Sequence, residues 1–82
     1  MNNNLWNRLT ALIGAHFGAD PAALRPETTA EEVEGWDSVS HIAFLVALER
    51  ELGVRFHTGE MADLTNVGDL FARVSKAVAR AR

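Results

Sequence analysis

The chain has 82 residues, 48% of them hydrophobic and 23% charged, with a net charge of −3. That apolar content supports one modest core, so a single domain over residues 1–82 is predicted and wholesale disorder is excluded. No apolar run nears the roughly 18 residues of a membrane span, no secretory leader is expected, and the absence of cysteine excludes disulfides, thiolate metal sites and a thiol nucleophile. A cytoplasmic setting is expected.

Residues 4–17 read as the first helix, because Leu5, Trp6, Leu9, Leu12, Ile13, His16 and Phe17 fall on one face at 100° per residue. Asn3 or Asn4 would cap it and Gly18 would end it. His16 is expected to pack in that stripe. Residues 19–36 form a long connection, a length that often signals function. Asp20-Pro21 predicts a single turn and Thr29-Ala30-Glu31-Glu32 a capping box, with Leu24, Val33 and Trp36 as anchors to the core.

A second helix is predicted from Ser38 to Leu52, capped by Asp37 and stopped by Gly53. Its apolar residues Val39, Ile42, Phe44, Leu45, Val46, Leu48 and Leu52 spread over more than half the circumference, well beyond the ~100° stripe of a surface helix. Phe44, Leu48 and Leu52 are expected inside. Val39 and Val46 are expected to stay partly exposed, available to a partner. Val54-Arg55-Phe56 reads as a short extended link, and Thr58–Leu64 as a short helix with Met61 and Leu64 inward. Asn66 would cap the last helix, with Asp69 in its acidic third position and an apolar stripe of Val67, Leu70, Phe71, Val74, Ala77 and Val78. The predicted class is all-α, a four-helix bundle of three main helices and a minor one, with a long loop between the first two.

Charge is unevenly placed. Residues 1–26 carry +1, residues 27–63 carry −7 and residues 64–82 carry +3. An acidic middle disfavours nucleic acid and suits a partner with a basic rim, for which Glu49, Glu51 and Glu60 are the candidate contacts. Trp6 and Trp36 are expected as core anchors rather than a stacking platform, since neither sits among basic residues.

Asp37-Ser38 is the strongest chemical candidate. A serine in the first turn of a helix lies beside unpaired backbone N–H groups, in a field that favours a phosphate ester. Plain capping would equally place Asp-Ser there. The competing constellation, Ser38, His41 and Asp37 as a hydrolase triad, places three neighbours on one turn without a nucleophile elbow or an oxyanion loop, and no catalytic residue is assigned. His41 is expected to be solvated. His16, His41 and His57 are too scattered for a metal site.

The run from Gly35 to Phe56, with Asp37-Ser38-Val39 at the head of the second helix, Ala47-Leu48-Glu49 within it and Gly53–Phe56 at its exit, resembles the acyl carrier protein family. Leu64-Thr65-Asn66-Val67-Gly68-Asp69-Leu70 is similar to it as well, so the resemblance covers nearly the whole chain. It implies a four-helix bundle in which Ser38 carries 4′-phosphopantetheine, Asp37 caps the helix and is read by the transferase, and the arm's thiol holds acyl, polyketide or aminoacyl groups as thioesters. It also implies a monomeric, non-catalytic carrier served by a phosphopantetheinyl transferase, acyl or aminoacyl ligases, ketosynthases and acyltransferases. Ser40, Ala43 and Arg50 stand at positions often acidic in fatty-acid carriers, and Val39 replaces the usual leucine. With Trp36, they look more like free-standing carriers of specialised pathways. An aminoacyl or peptidyl carrier, and a helical adaptor without a prosthetic group, are the alternatives.

Overall fold

The computed structural model describes residues 3–56, 64 and 66–81. Three α-helices and two 3-10 turns follow one another: α1 (Asn3–Phe17), turns at Pro21–Ala23 and Ala30–Glu32, α2 (Ser38–Leu52) and α3 (Val67–Arg80). There is no strand among the described residues. The short helix expected over Thr58–Leu64 lies outside them except for Leu64, which packs half-buried against the core. None of the described helices is long and apolar enough to cross a membrane.

Each helix buries one stripe. Leu5, Leu9 and Ile13 of α1 meet Phe44 and Leu48 of α2 and Val67, Leu70 and Val74 of α3, with Leu24 and Val33 of the loop closing one side. Trp6 packs edge-on against Phe71, ring centroids 5.4 Å apart. Leu52 is half-buried rather than fully inside, because it sits in the last turn of α2, where the bundle opens. His16 departs from expectation: it is exposed, although its ring centroid still lies 4.7 Å from that of Phe17 and 5.3 Å from that of Phe44. His16 lies in the last turn of α1.

The long loop is ordered by bonds that no local pattern reveals. The first N–H groups of α3 have no partner inside their own helix. Val67 N donates to the Thr28 carbonyl at 2.8 Å and Gly68 N to the Pro26 carbonyl at 2.7 Å. Thr28 is buried, and its Oγ1 accepts from Arg25 N at 2.9 Å. The capping box at Thr29 does not form; Thr29 makes no side-chain bond to the backbone and its hydroxyl instead points at Glu32 Oε1, 3.4 Å away. The third N–H, that of Glu32, donates to the Thr29 carbonyl at 3.1 Å and not to the hydroxyl. At the other end of the loop, Asp20 Oδ1 accepts from Ala22 N at 3.0 Å, as the Asp-Pro pair implies.

Candidate functional site at the head of helix α2

The chain turns sharply before α2. Gly35 has φ +86°, a left-handed conformation that strains any residue with a Cβ. Trp36 N donates to the Val33 carbonyl at 3.2 Å and Asp37 N to the Gly35 carbonyl at 3.2 Å. Asp37 is extended (φ −112°, ψ −176°) and caps the helix, its Oδ1 accepting from Ser40 N at 2.8 Å. His41 N to the Asp37 carbonyl, 2.8 Å, is the first bond of the helical ladder. Ser38 is therefore the first residue of α2.

The Asp37 carboxyl is held below the ordinary carboxylate range, chiefly by the Ser40 backbone N–H, with the Ser40 hydroxyl and the Val39 N–H adding to it. The carboxylate is exposed and anionic at neutral pH. On either side of Ser38, both Asp37 and Val39 are exposed, so the turn stands open to a large incoming group. The positive end of the helix dipole suits a phosphate at this open turn, although the Ser40 N–H is already taken by the Asp37 carboxylate. These residues fit a phosphate-linked prosthetic group at the first turn of α2.

Along α2, Val39 is 78% exposed, Ile42 64% and Val46 49%, while Phe44 and Leu48 are fully enclosed. The spacing of 39, 42 and 46 makes one continuous apolar stripe beginning next to Ser38. Val39 and Val46 stay open as expected; Ile42 joins them, and its i+3 spacing from Val39 was the signal that could have found it. The acidic candidates separate. Glu49 is half-buried, with Oε2 accepting from Phe56 N at 2.9 Å, so this carboxylate ties down the exit from α2 and is not simply a free rim charge. Glu51 has an exposed side chain, and its carbonyl accepts from Arg8 Nη2 at 3.0 Å. Glu60 lies outside the described residues.

His41 is half-buried, not simply solvated. Its Nδ1 accepts from Trp36 Nε1 at 3.0 Å. A triad would need that same nitrogen to carry a proton and donate it to a carboxylate. Here Nδ1 is an acceptor and the Asp37 carboxylate is engaged with Ser40, so the line from nucleophile to base to orienter is not assembled.

A family model described as a phosphopantetheine attachment site matches residues 7–74, which include this whole turn. Among solved structures, the chain is similar to the solution structure of the holo acyl carrier protein from Geobacter metallireducens. The two are 38% identical over 94% of this chain and 88% of that one, with a TM-score of 0.83. Comparison with the curated proteins gave no match.

Proposed function

The chain belongs to the acyl carrier protein family, and from that premise we propose that Ser38 is the residue that bears its covalently attached 4′-phosphopantetheine. The observation that carries this reading is the open first turn of α2, where the solvent-facing N-cap Asp37 and the exposed Val39 stand on either side of the serine at the positive end of the helix dipole. In the loading reaction the Ser38 hydroxyl oxygen attacks the pantetheine-side phosphorus of coenzyme A. The bond from that phosphorus to the adenosine 3′,5′-bisphosphate leaving group breaks, and the hydroxyl proton passes to a base of the transferase. When bound, the arm supplies a thiol on which a carboxylic acid is held as a thioester.

The chain's own part is recognition and delivery. Val39, Ile42 and Val46 offer partners an apolar stripe beside the attachment point, with Glu51 and Glu60 as acidic contacts and Glu49 contributing what its tie to Phe56 leaves free. Tethering then raises the effective concentration of cargo at each partner site. The partners are a phosphopantetheinyl transferase and enzymes that load, extend or transfer acyl groups, such as ligases, ketosynthases and acyltransferases. Ser40, Ala43 and Arg50 leave α2 less acidic than in fatty-acid carriers, which supports service in a specialised pathway.

Co-expression with a promiscuous phosphopantetheinyl transferase, followed by intact-mass measurement, tests the reading. A gain of one phosphopantetheine is expected. An unchanged mass, beside a known carrier modified under the same conditions, would favour a helical adaptor that binds partners through α2 alone.

A further inference from the structure

Trp36 and His41 flank the attachment turn, one on the loop before it and one on the helix after it. The indole lies parallel to the ring of Phe17, the last residue of α1, with centroids 4.7 Å apart and planes 15° apart. It meets enclosed Phe44 edge-on at 5.8 Å. These contacts seat the ring but leave its polar edge to be satisfied. That edge donates from Nε1 to His41 Nδ1 at 3.0 Å. An indole N–H can only donate, so the imidazole is held in the tautomer with Nδ1 bare and the proton on Nε2.

The helix side of the turn is secured by Ser40 N and His41 N, each bonded to Asp37 at 2.8 Å, but the loop side is held less firmly. Gly35 adopts its left-handed conformation without a side chain to lock it, and the Trp36 N and Asp37 N bonds, both 3.2 Å, lie at the long end of the N–H···O range. The bond between residues 36 and 41 closes a ring that contains Asp37 and Ser38, joining the loop side of the turn to the first turn of α2. We propose that Trp36 and His41 are a positioning pair, whose side-chain hydrogen bond fixes the Asp37–Ser38 turn in the geometry required for phosphopantetheine transfer. This inference rests on Ser38 being the attachment residue. Neither side chain is a catalytic residue; both act through the placement of Ser38, where displacement of a nucleophile by about 1 Å can cost up to ~100-fold in rate.

The test uses the apo protein, coenzyme A and a phosphopantetheinyl transferase, with Trp36→Phe, His41→Leu, their double variant and His41→Asn. Trp36→Phe keeps the ring and removes the donor. His41→Leu keeps an apolar contact and removes the acceptor, whereas the Asn Oδ1 can stand where Nδ1 stood. Each of the first two is expected to lower the kcat of Ser38 modification by about three- to tenfold with KM nearly unchanged, the scale of one hydrogen bond. The double variant should be no slower than the slower single, and His41→Asn should recover most of the rate. In NMR spectra of the apo proteins, the downfield Trp36 indole N–H resonance should move upfield in His41→Leu and stay in place in His41→Asn. That signature does not depend on loading, and thermal melts of each variant measure the folded fraction. Folded variants with wild-type kcat, or single effects that multiply in the double variant, would overturn the positioning pair while wild-type loading at Ser38 stands. A wild-type protein left unmodified at Ser38 would overturn the attachment assignment and this inference with it.

Discussion

Asp37 shows how a fully solvated residue can still be tuned. Its carboxyl is lowered because its ionised form accepts the Ser40 N–H, so the folded state binds the proton less readily than the unfolded chain does. The stabilisation from this group is therefore present above the ordinary Asp value of about 3.9 and is lost as pH falls through the lowered folded value. Asn caps helices as well as Asp but does not titrate. Asp37→Asn should thus show a smaller loss of melting temperature than wild type between about pH 4 and pH 2, and little difference at pH 7, as read by thermal melts across a pH series. Gly14 shows the opposite case, a residue whose smallness is spent on a neighbour. A Cβ there would lie 2.7 Å from the Ala19 carbonyl oxygen and 2.9 Å from Pro21 Cγ. Helix propensity alone would reward Gly14→Ala by about 1 kcal/mol. The clash with backbone should reverse the sign and destabilise by about 1–3 kcal/mol in urea denaturation.

At the scale of elements, α2 has two apolar faces with different duties. Leu48 is fully enclosed, and Leu48→Ala should cost about 2–5 kcal/mol, as core truncations do. Val39, at 78% exposure, should cost less than about 0.5 kcal/mol on truncation to Ala and should slow transferase modification instead. Equal destabilisation by both, with normal loading of folded Val39→Ala, would place Val39 in the core and remove it from the partner stripe. The boundaries of α2 and α3 were legible from sequence because Asp37, Gly53 and Asn66 are local signals acting on adjacent backbone. The loop was less legible, since its order comes from Thr28 and Pro26 carbonyls receiving the N–H groups of α3, some forty residues onward. Likewise, the Asp37 cap at the head of α2 could be read from sequence, but the Trp36–His41 bond could not. A tryptophan five residues before a histidine has no periodicity that brings them together until a left-handed glycine folds the turn. His16 was misplaced because a helical wheel gives direction and not how far neighbouring elements extend.

For the whole molecule, charge governs approach and packing governs fit. The −7 segment from residue 27 to residue 63 contains the Asp37-Ser38 turn proposed for attachment, and α3 carries the compensating cations. Fields from exposed charges are screened over about 8 Å at physiological ionic strength, so the modification rate constant should fall as salt rises. Glu51 is thirteen residues beyond Ser38, roughly 20 Å along the helix axis. At low salt, where the Debye length reaches about 30 Å, its charge still steers an approaching partner, whereas at physiological salt that distance is screened. Glu51→Lys should therefore slow modification at low salt and converge on wild type at high salt, with Arg50→Glu having the opposite effect. A flat response in both would confine recognition to the apolar stripe and the Asp37-Ser38 turn. Glu49 is the poorer probe, because reversing it also breaks the bond to Phe56 N. The most direct measurement is localisation of the added mass. The protein is treated with coenzyme A and transferase, and the product is fragmented by tandem mass spectrometry beside Ser38→Ala and Ser40→Ala. Phosphopantetheine on Ser38 in wild type and Ser40→Ala, none on Ser38→Ala, and near wild-type melting of Ser38→Ala are expected; modification that persists in Ser38→Ala, or maps to Ser40, would contradict the assignment.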